Sequence, residues 1–249
     1  MEESRTAATV MLWTRRIAIA KLLLYFVLPG LMDPAQASAR SAAPRPGLVA
    51  AFAFNEGTGT IVQDASGRGH EGTVEGATWT VGRYGKALQF NGADSWVTIP
   101  GAPDLDFTSA FTVMAWVYPT PGFGVQVIVT KEGDRGGYTL HLRNTRGHPE
   151  ASVYAGGQTL AAEGSSLWAN AWIHMAVSFD GNRLRLFVNG MEIARQRVSG
   201  TLEVSGGPLR IGGSSLWREF FKGRIDEVRV YNRALTAAEI QMDLQTPIQ

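Results

Sequence analysis

Two adjacent carboxylates, Asp226 and Glu227, sit inside the apolar pattern of GRIDEVRVYNRALTAAEI, Gly223 to Ile240. Paired acids can flank a glycosidic bond as proton donor and nucleophile, supply oxygens to a hard cation, or simply face water. Strand side chains alternate between two faces, yet Ile225 falls on an odd position and Val228 and Val230 on even ones. A bulge at Asp226–Glu227 would return all three to the core and aim only one acid at the N-terminal loop. Asp226 is the choice for that role, which leaves Glu227 exposed or paired to Arg224 or Arg229.

Other reactive groupings are sparse. Glu132 and Asp134 occupy the glycine-rich stretch KEGDRGG without a third acid and read as solvated loop acids. Four histidines (His70, His141, His148, His174) show no HExxH spacing and have no cysteine partners, so no zinc site is indicated. His141 and His174 fall in strand patterns and read as structural. No G-x-S-x-G elbow or phosphate-binding loop occurs. The loop NEGTGTIVQDASGRGHEG offers side-chain oxygens from Asn55, Glu56 and Asp64, and its glycines can turn backbone carbonyls inward near His70. The competing reading of Asp64 is an Asx turn in DASG.

Sugar recognition needs an exposed aromatic platform beside planar polar groups. Of seven tryptophans, Trp116 and Trp172 lie in strongly apolar strands and belong to the core, with Trp96 intermediate. Trp168 in GSSLWAN and Trp217 in GGSSLWREFF lie in loops, where they could serve as platforms. The alternative is that each merely packs, as large aromatics mostly do.

The elements that position these residues are mostly strands. FTVMAWVYP is apolar on both faces and reads as a covered sandwich strand. In AWIHMAVSFDGNRLRLFVNGMEIARQ, turns at Asp180-Gly181-Asn182 and Asn189-Gly190 join three alternating runs into an antiparallel meander. Leu184, Leu186 and Val188 face one way there, and Arg185, Phe187 and Asn189 the other. Many short strands punctuated by glycine imply an all-β, two-sheet antiparallel sandwich or jelly roll. The one helix signal is the capping box Thr236-Ala237-Ala238-Glu239, ahead of Pro247.

The first residues stand apart. Arg15 and Arg16 precede a short apolar run, Leu22 to Leu28, followed by AQASA. This is the pattern of an export signal over 1–39, cleaved after Ala37 or Ala39, with a linker over 40–47 and one domain over 48–246. Lys21 and Pro29 interrupt the apolar run, so no stable membrane span is expected. Of 23 basic and 22 acidic residues, four and three fall in 1–39, which leaves 19 of each. That balance excludes the basic stripe of a nucleic-acid binder. With no cysteine, the domain is held without disulfides.

Five stretches in order, AFAFNEGTGTIVQDASGRGHEGTV, GKALQFNGADSWVTIP, FTVMAWVYP, AWIHMAVSFDGNRLRLFVNGMEIA and GRIDEVRVYNRALTAAEI, together resemble the laminin-G-like, concanavalin A-like lectin/glucanase jelly rolls of secreted bacterial proteins. The resemblance implies calcium joining the N-terminal loop to the IDEV aspartate, which nominates Asp64 and Asp226 with Asn55 and the His70 carbonyl as additions. Glucanases of this fold carry an acidic series of the form Glu-x-Asp-x-x-Glu. Here Arg224 stands two before Asp226, and Val228, Arg229 and Val230 follow Glu227, so no enzyme is expected. The implied function is an exported, non-catalytic binding module for glycans or glycoproteins. A structural or adhesive protein-contact module is the alternative, with a glycoside hydrolase third.

Overall fold

Alternation along the chain becomes two antiparallel sheets face to face in a computed structural model, which describes residues 45–134, 137–143, 147–167 and 170–249. The export signal expected over 1–39 and Trp168 lie outside the described residues. In chain order the strands are β1 (Leu48–Phe52), β2 (Ile61–Val62), β3 (Gly72–Glu75), β4 (Thr78–Val81), β5 (Lys86–Asn91), β6 (Trp96–Ile99), β7 (Phe111–Pro119), β8 (Val125–Lys131) and β9 (Tyr138–Arg143). They continue with β10 (His148–Ala155), β11 (Gln158–Glu163), β12 (Ile173–Phe179), β13 (Arg183–Val188), β14 (Met191–Arg197), β15 (Leu209–Ile211), β16 (Gly213–Ser214), β17 (Glu219–Phe220) and β18 (Lys222–Tyr231). A helix, α1 (Ala237–Gln245), follows.

The first sheet runs β14-β13-β12-β7-β18-β5-β4, with β1 pairing to β18; the second runs β11-β10-β9-β8-β15-β6-β3-β2. The meander β12-β13-β14 matches its sequence signals. Asn189 and Gly190 take φ of 49° and 77°, the positive values a two-residue hairpin demands. β7 is covered on both faces along nearly its whole length. Phe90, Phe111, Val117, Leu140, Leu186 and Ile211 are among the side chains that fill the space between the sheets. Each fully buried side chain of this size contributes about 1.5–3 kcal/mol.

The expected bulge in β18 is present. Asp226 pairs with Trp116 and Arg229 with Met114, so three steps on β18 oppose two on β7. Glu227 absorbs the extra residue at φ 55°, and Ile225, Val228 and Val230 all reach the core.

The two outer faces differ. On the first sheet, Met114, Ala176, Phe187 and Tyr231 form a second apolar cluster with Leu235 and Ile240 under α1. The helix begins at the expected capping box: Thr236 accepts from the Glu239 N–H, and the Glu239 carboxylate accepts from the Thr236 N–H. On the second sheet, the inward residues of β9 and β10 are Tyr138, Leu140, Leu142, Ala151, Val153 and Ala155. Alternation therefore sends Thr139, His141, Arg143, Glu150, Ser152 and Tyr154 to the outer face. Among the described residues, no helix covers them.

Candidate functional site

Asp226 and Glu227 are both fully buried, so neither can reach a polymeric substrate. Asp226 Oδ2 accepts from the backbone N–H groups of Arg83 and Tyr84 at 2.8 and 3.0 Å, in the turn between β4 and β5. Burial pushes its carboxyl up to about 7, although the Tyr84 N–H opposes the shift. Of the two alternatives for Glu227, exposure or an arginine partner, the second is found, with the side chain fully buried. It accepts from Arg229 at 3.0 Å and from the Ile248 N–H at 2.7 Å. Of the two arginines considered as partners, Arg229 is the one found.

Of the four nominated calcium ligands, Asn55 and Asp226 both meet the β4–β5 turn, whereas Asp64 is engaged elsewhere. Asp64 Oδ1 accepts from the Ala51 and Ser66 N–H groups, and Oδ2 from the Ser66 hydroxyl and the His70 N–H, all within 2.8–3.0 Å. Burial disfavours the charge, but those donors together hold the carboxyl below the usual range. Both oxygens are thus surrounded by donors, the wrong polarity for a cation. Asp64 ties β1 to an Asx turn. Asn55 Oδ1 accepts from the Lys86 N–H, and the His70 ring meets Asp104 at 3.0 Å. No cluster of three or more acidic or histidine side chains suited to a metal occurs among the described residues. Asp64 therefore has no oxygen left for a shared calcium, whereas Asp226 Oδ1 is buried without a hydrogen-bond partner.

The open outer face of the second sheet gathers a different set. A cavity of about 290 Å³ is lined by His141, Arg143, Glu150, Tyr154, Trp217 and Glu219, among others. Trp217 is 39% exposed, as its loop position suggested. His141 Nε2 lies 3.2 Å from Glu150 Oε1, and Arg143 donates to Glu150 Oε2 at 3.0 Å. Burial works against the Glu150 charge, but His141 and Arg143 outweigh it and hold its carboxyl low. Glu219 is displaced upward, first by burial and also by Glu150. The cavity thus offers an aromatic face beside fixed polar groups. His141 was read as structural; its outward phase in YTLHLR, shared with Arg143, was the available signal. His174 does prove structural, fully buried against Trp116 with ring centroids 5.4 Å apart.

The turn that carries Trp217 is held by Glu132, which is buried rather than solvated. Its Oε1 accepts from the Ser214 hydroxyl at 2.7 Å and from the Ser215 and Leu216 N–H groups at 2.8 and 3.2 Å; its Oε2 accepts from Arg210 Nε at 3.0 Å. Burial opposes ionisation, but these donors keep the carboxyl below its ordinary value. The β16–β17 hairpin is also stacked onto the sheet through Phe220 and Trp96, with centroids 5.8 Å apart. Gly212, at φ +85°, leads into it, and a Cβ there would lie 2.1 Å from the Phe90 ring. The GSSLW sequence is therefore a clamp: two serines and two amides grip one carboxylate, and the tryptophan is presented next to them.

The model of the concanavalin A-like lectin/glucanases superfamily matches residues 91–241. Pappalysin-1 of Mus musculus is 25% identical over 182 residues, which cover 65% of this chain and 11% of that protein. The chain thus spans about a tenth of that relative. Among solved structures, the binding domain of Paraclostridial mosquitocidal protein 1 aligns with a TM-score of 0.65 at 19% identity, over 79% of this chain and 51% of that one. Domain 4 of an extracellular arabinanase from Geobacillus stearothermophilus, in complex with arabinotriose, gives 0.63 at 21%, over 79% and 97%. A botulinum neurotoxin type C structure, whose cell entry depends on two ganglioside molecules, gives 0.63 at 10%, over 79% and 50%. At these identities the structures establish likeness of fold. Together with the two sheets described above, the family match places the chain in the concanavalin A-like lectin/glucanase superfamily.

Proposed function

We propose that this chain is a non-catalytic module that holds glycans, free or on glycoproteins, against the outer face of its second sheet. One observation carries the reading: a half-exposed Trp217, on a turn fixed by a buried carboxylate, stands over a cavity of hydrogen-bonding side chains on the face that no helix among the described residues covers. Aromatic faces bind the apolar side of sugar rings while planar polar groups meet the hydroxyls. The sugar-binding neighbours of the same fold support this reading. Export is part of the proposal and rests on the residue pattern of 1–39; among the described residues no helix is long and apolar enough to cross a membrane.

Glu150 and Glu219 line one cavity with carboxyls displaced in opposite directions. That is the kind of pair a glycosidase uses, so the test must separate binding from cleavage. The purified domain is run in native gels containing neutral or acidic polysaccharides, and each mixture is assayed for released reducing ends. Retardation by at least one polysaccharide, lost in Trp217→Ala and without reducing ends, is expected. No retardation across the panel refutes glycan binding, and released ends refute the non-catalytic part.

A further inference from the structure

The cavity beneath Trp217 has a neighbour. A second one, of about 590 Å³, is lined by Asp134, Glu203, Val204, Ser205, Arg210 and Leu216, among others. Leu216 and Trp217 are consecutive, yet each faces a different cavity. The turn after β16 is therefore a shared wall between two depressions on one face. Leu216 is 52% exposed and Val204 is 49% exposed, so the second depression also has apolar surface at its mouth. Its polar groups include the Asp134 and Glu203 carboxylates and the Ser205 hydroxyl. Glu132 anchors the wall from beneath, and Arg210 is held against Glu132.

The first cavity is itself elongated. It is lined from Gly137, just before β9, to Arg143 at the end of that strand, which at the rise of an antiparallel strand is about 20 Å. One monosaccharide fills only a fraction of that length. Both volumes lie near or within the range of small-ligand sites, about 300–1,000 Å³.

We propose, on the basis of the glycan-binding reading above, that the two cavities are successive parts of one extended site. This site takes an internal stretch of a linear polysaccharide, which crosses the Leu216–Trp217 wall. Trp217 stacks on sugars on one side of the wall, and Leu216 with Val204 meets those on the other. Affinity then grows with chain length until both cavities are filled.

The test is calorimetric titration of the domain with linear arabino-, xylo-, cello- and chito-oligosaccharides of two to seven units. In the series that binds, at least about a tenfold gain from disaccharide to hexasaccharide is expected, with a plateau beyond. Trp217→Ala should weaken every length. Leu216→Asp should remove the gain of the longer chains and weaken the short ones less than Trp217→Ala does. Both variants are checked for an unaltered melting temperature, which is expected because both side chains lie at the surface. A trisaccharide that binds as tightly as a hexasaccharide overturns the extended site while leaving glycan binding standing. A Leu216→Asp profile identical to wild type overturns it as well. Failure of every oligosaccharide and of the polysaccharide gels overturns both readings.

Discussion

Glu132→Gln isolates the contribution of the clamp. The amide oxygen can keep the Oε1 position and its three donors, Ser214 Oγ and the Ser215 and Leu216 N–H groups. The amide nitrogen then faces Arg210 Nε, donor against donor, where the carboxylate accepts at 3.0 Å. A hydrogen bond to a charged group contributes about 1.5–3 kcal/mol. Arg210 keeps other acceptors and is partly solvated, so the net loss should be about 2 kcal/mol. For a domain of this size that lowers the melting temperature by roughly 4–8 °C. The sign with pH follows from the lowered carboxyl pKa. The stabilisation is complete above the ordinary Glu value and fades as pH falls through the lower folded value. Calorimetry at pH 7 should thus separate the two proteins, and the gap should close in acid. Glycan affinity should fall as well, because Trp217 loses its fixed base. Equal melting temperatures at pH 7 would refute the claim that this carboxylate anchors the hairpin.

Other perturbations follow from the same geometry. Trp217→Ala should abolish polysaccharide retardation while shifting stability by no more than about 0.5 kcal/mol in denaturant, as surface substitutions do. Asp226, with its carboxyl raised to about 7, binds a proton in the folded state that the unfolded chain releases near pH 4. Stability should therefore decline between about pH 4 and 7, and Asp226→Asn should flatten that decline and stabilise the domain at pH 8, by at most about 4 kcal/mol. Urea titrations at pH 5 and pH 8 decide this. Thr236→Ala should cost about 1 kcal/mol through loss of the helix cap, read from the same titrations. Chelator should leave the melting curve unchanged, since the Asp64 oxygens are already filled by donors; a rise on adding calcium would restore a cation to that loop.

The fold was legible because local rules and long-range packing agree here. The Asn189-Gly190 hairpin, the Thr236 capping box and the phase slip at Ile225–Val228 are each set by neighbouring residues, and each appears in the structure. The site was less legible. Trp217 is visible as a loop aromatic, but the cavity is composed from β9, β10 and the β16–β17 hairpin, whose proximity depends on sheet order. Glu132 looked like a loop acid because its donors come from Arg210 and the Ser214–Leu216 turn, more than seventy residues away. Asp64 and Asp226 have the side-chain type a calcium ion takes. Only the N–H groups around them reveal that both Asp64 oxygens and Asp226 Oδ2 already have partners, which leaves Asp226 Oδ1 buried without one.

The covering of the first sheet by α1 also determines how the domain can be attached. Arg45 binds Asp243 at 2.8 Å and the Ile248 N–H binds Glu227, so both ends of the described domain meet beside α1. Trp217 and its cavity lie on the outer face of the other sheet. A surface or reporter coupled at either end of the described domain would sit at the back, opposite the face proposed to hold sugar. Immobilising the domain through either end should therefore preserve full capture of polysaccharide.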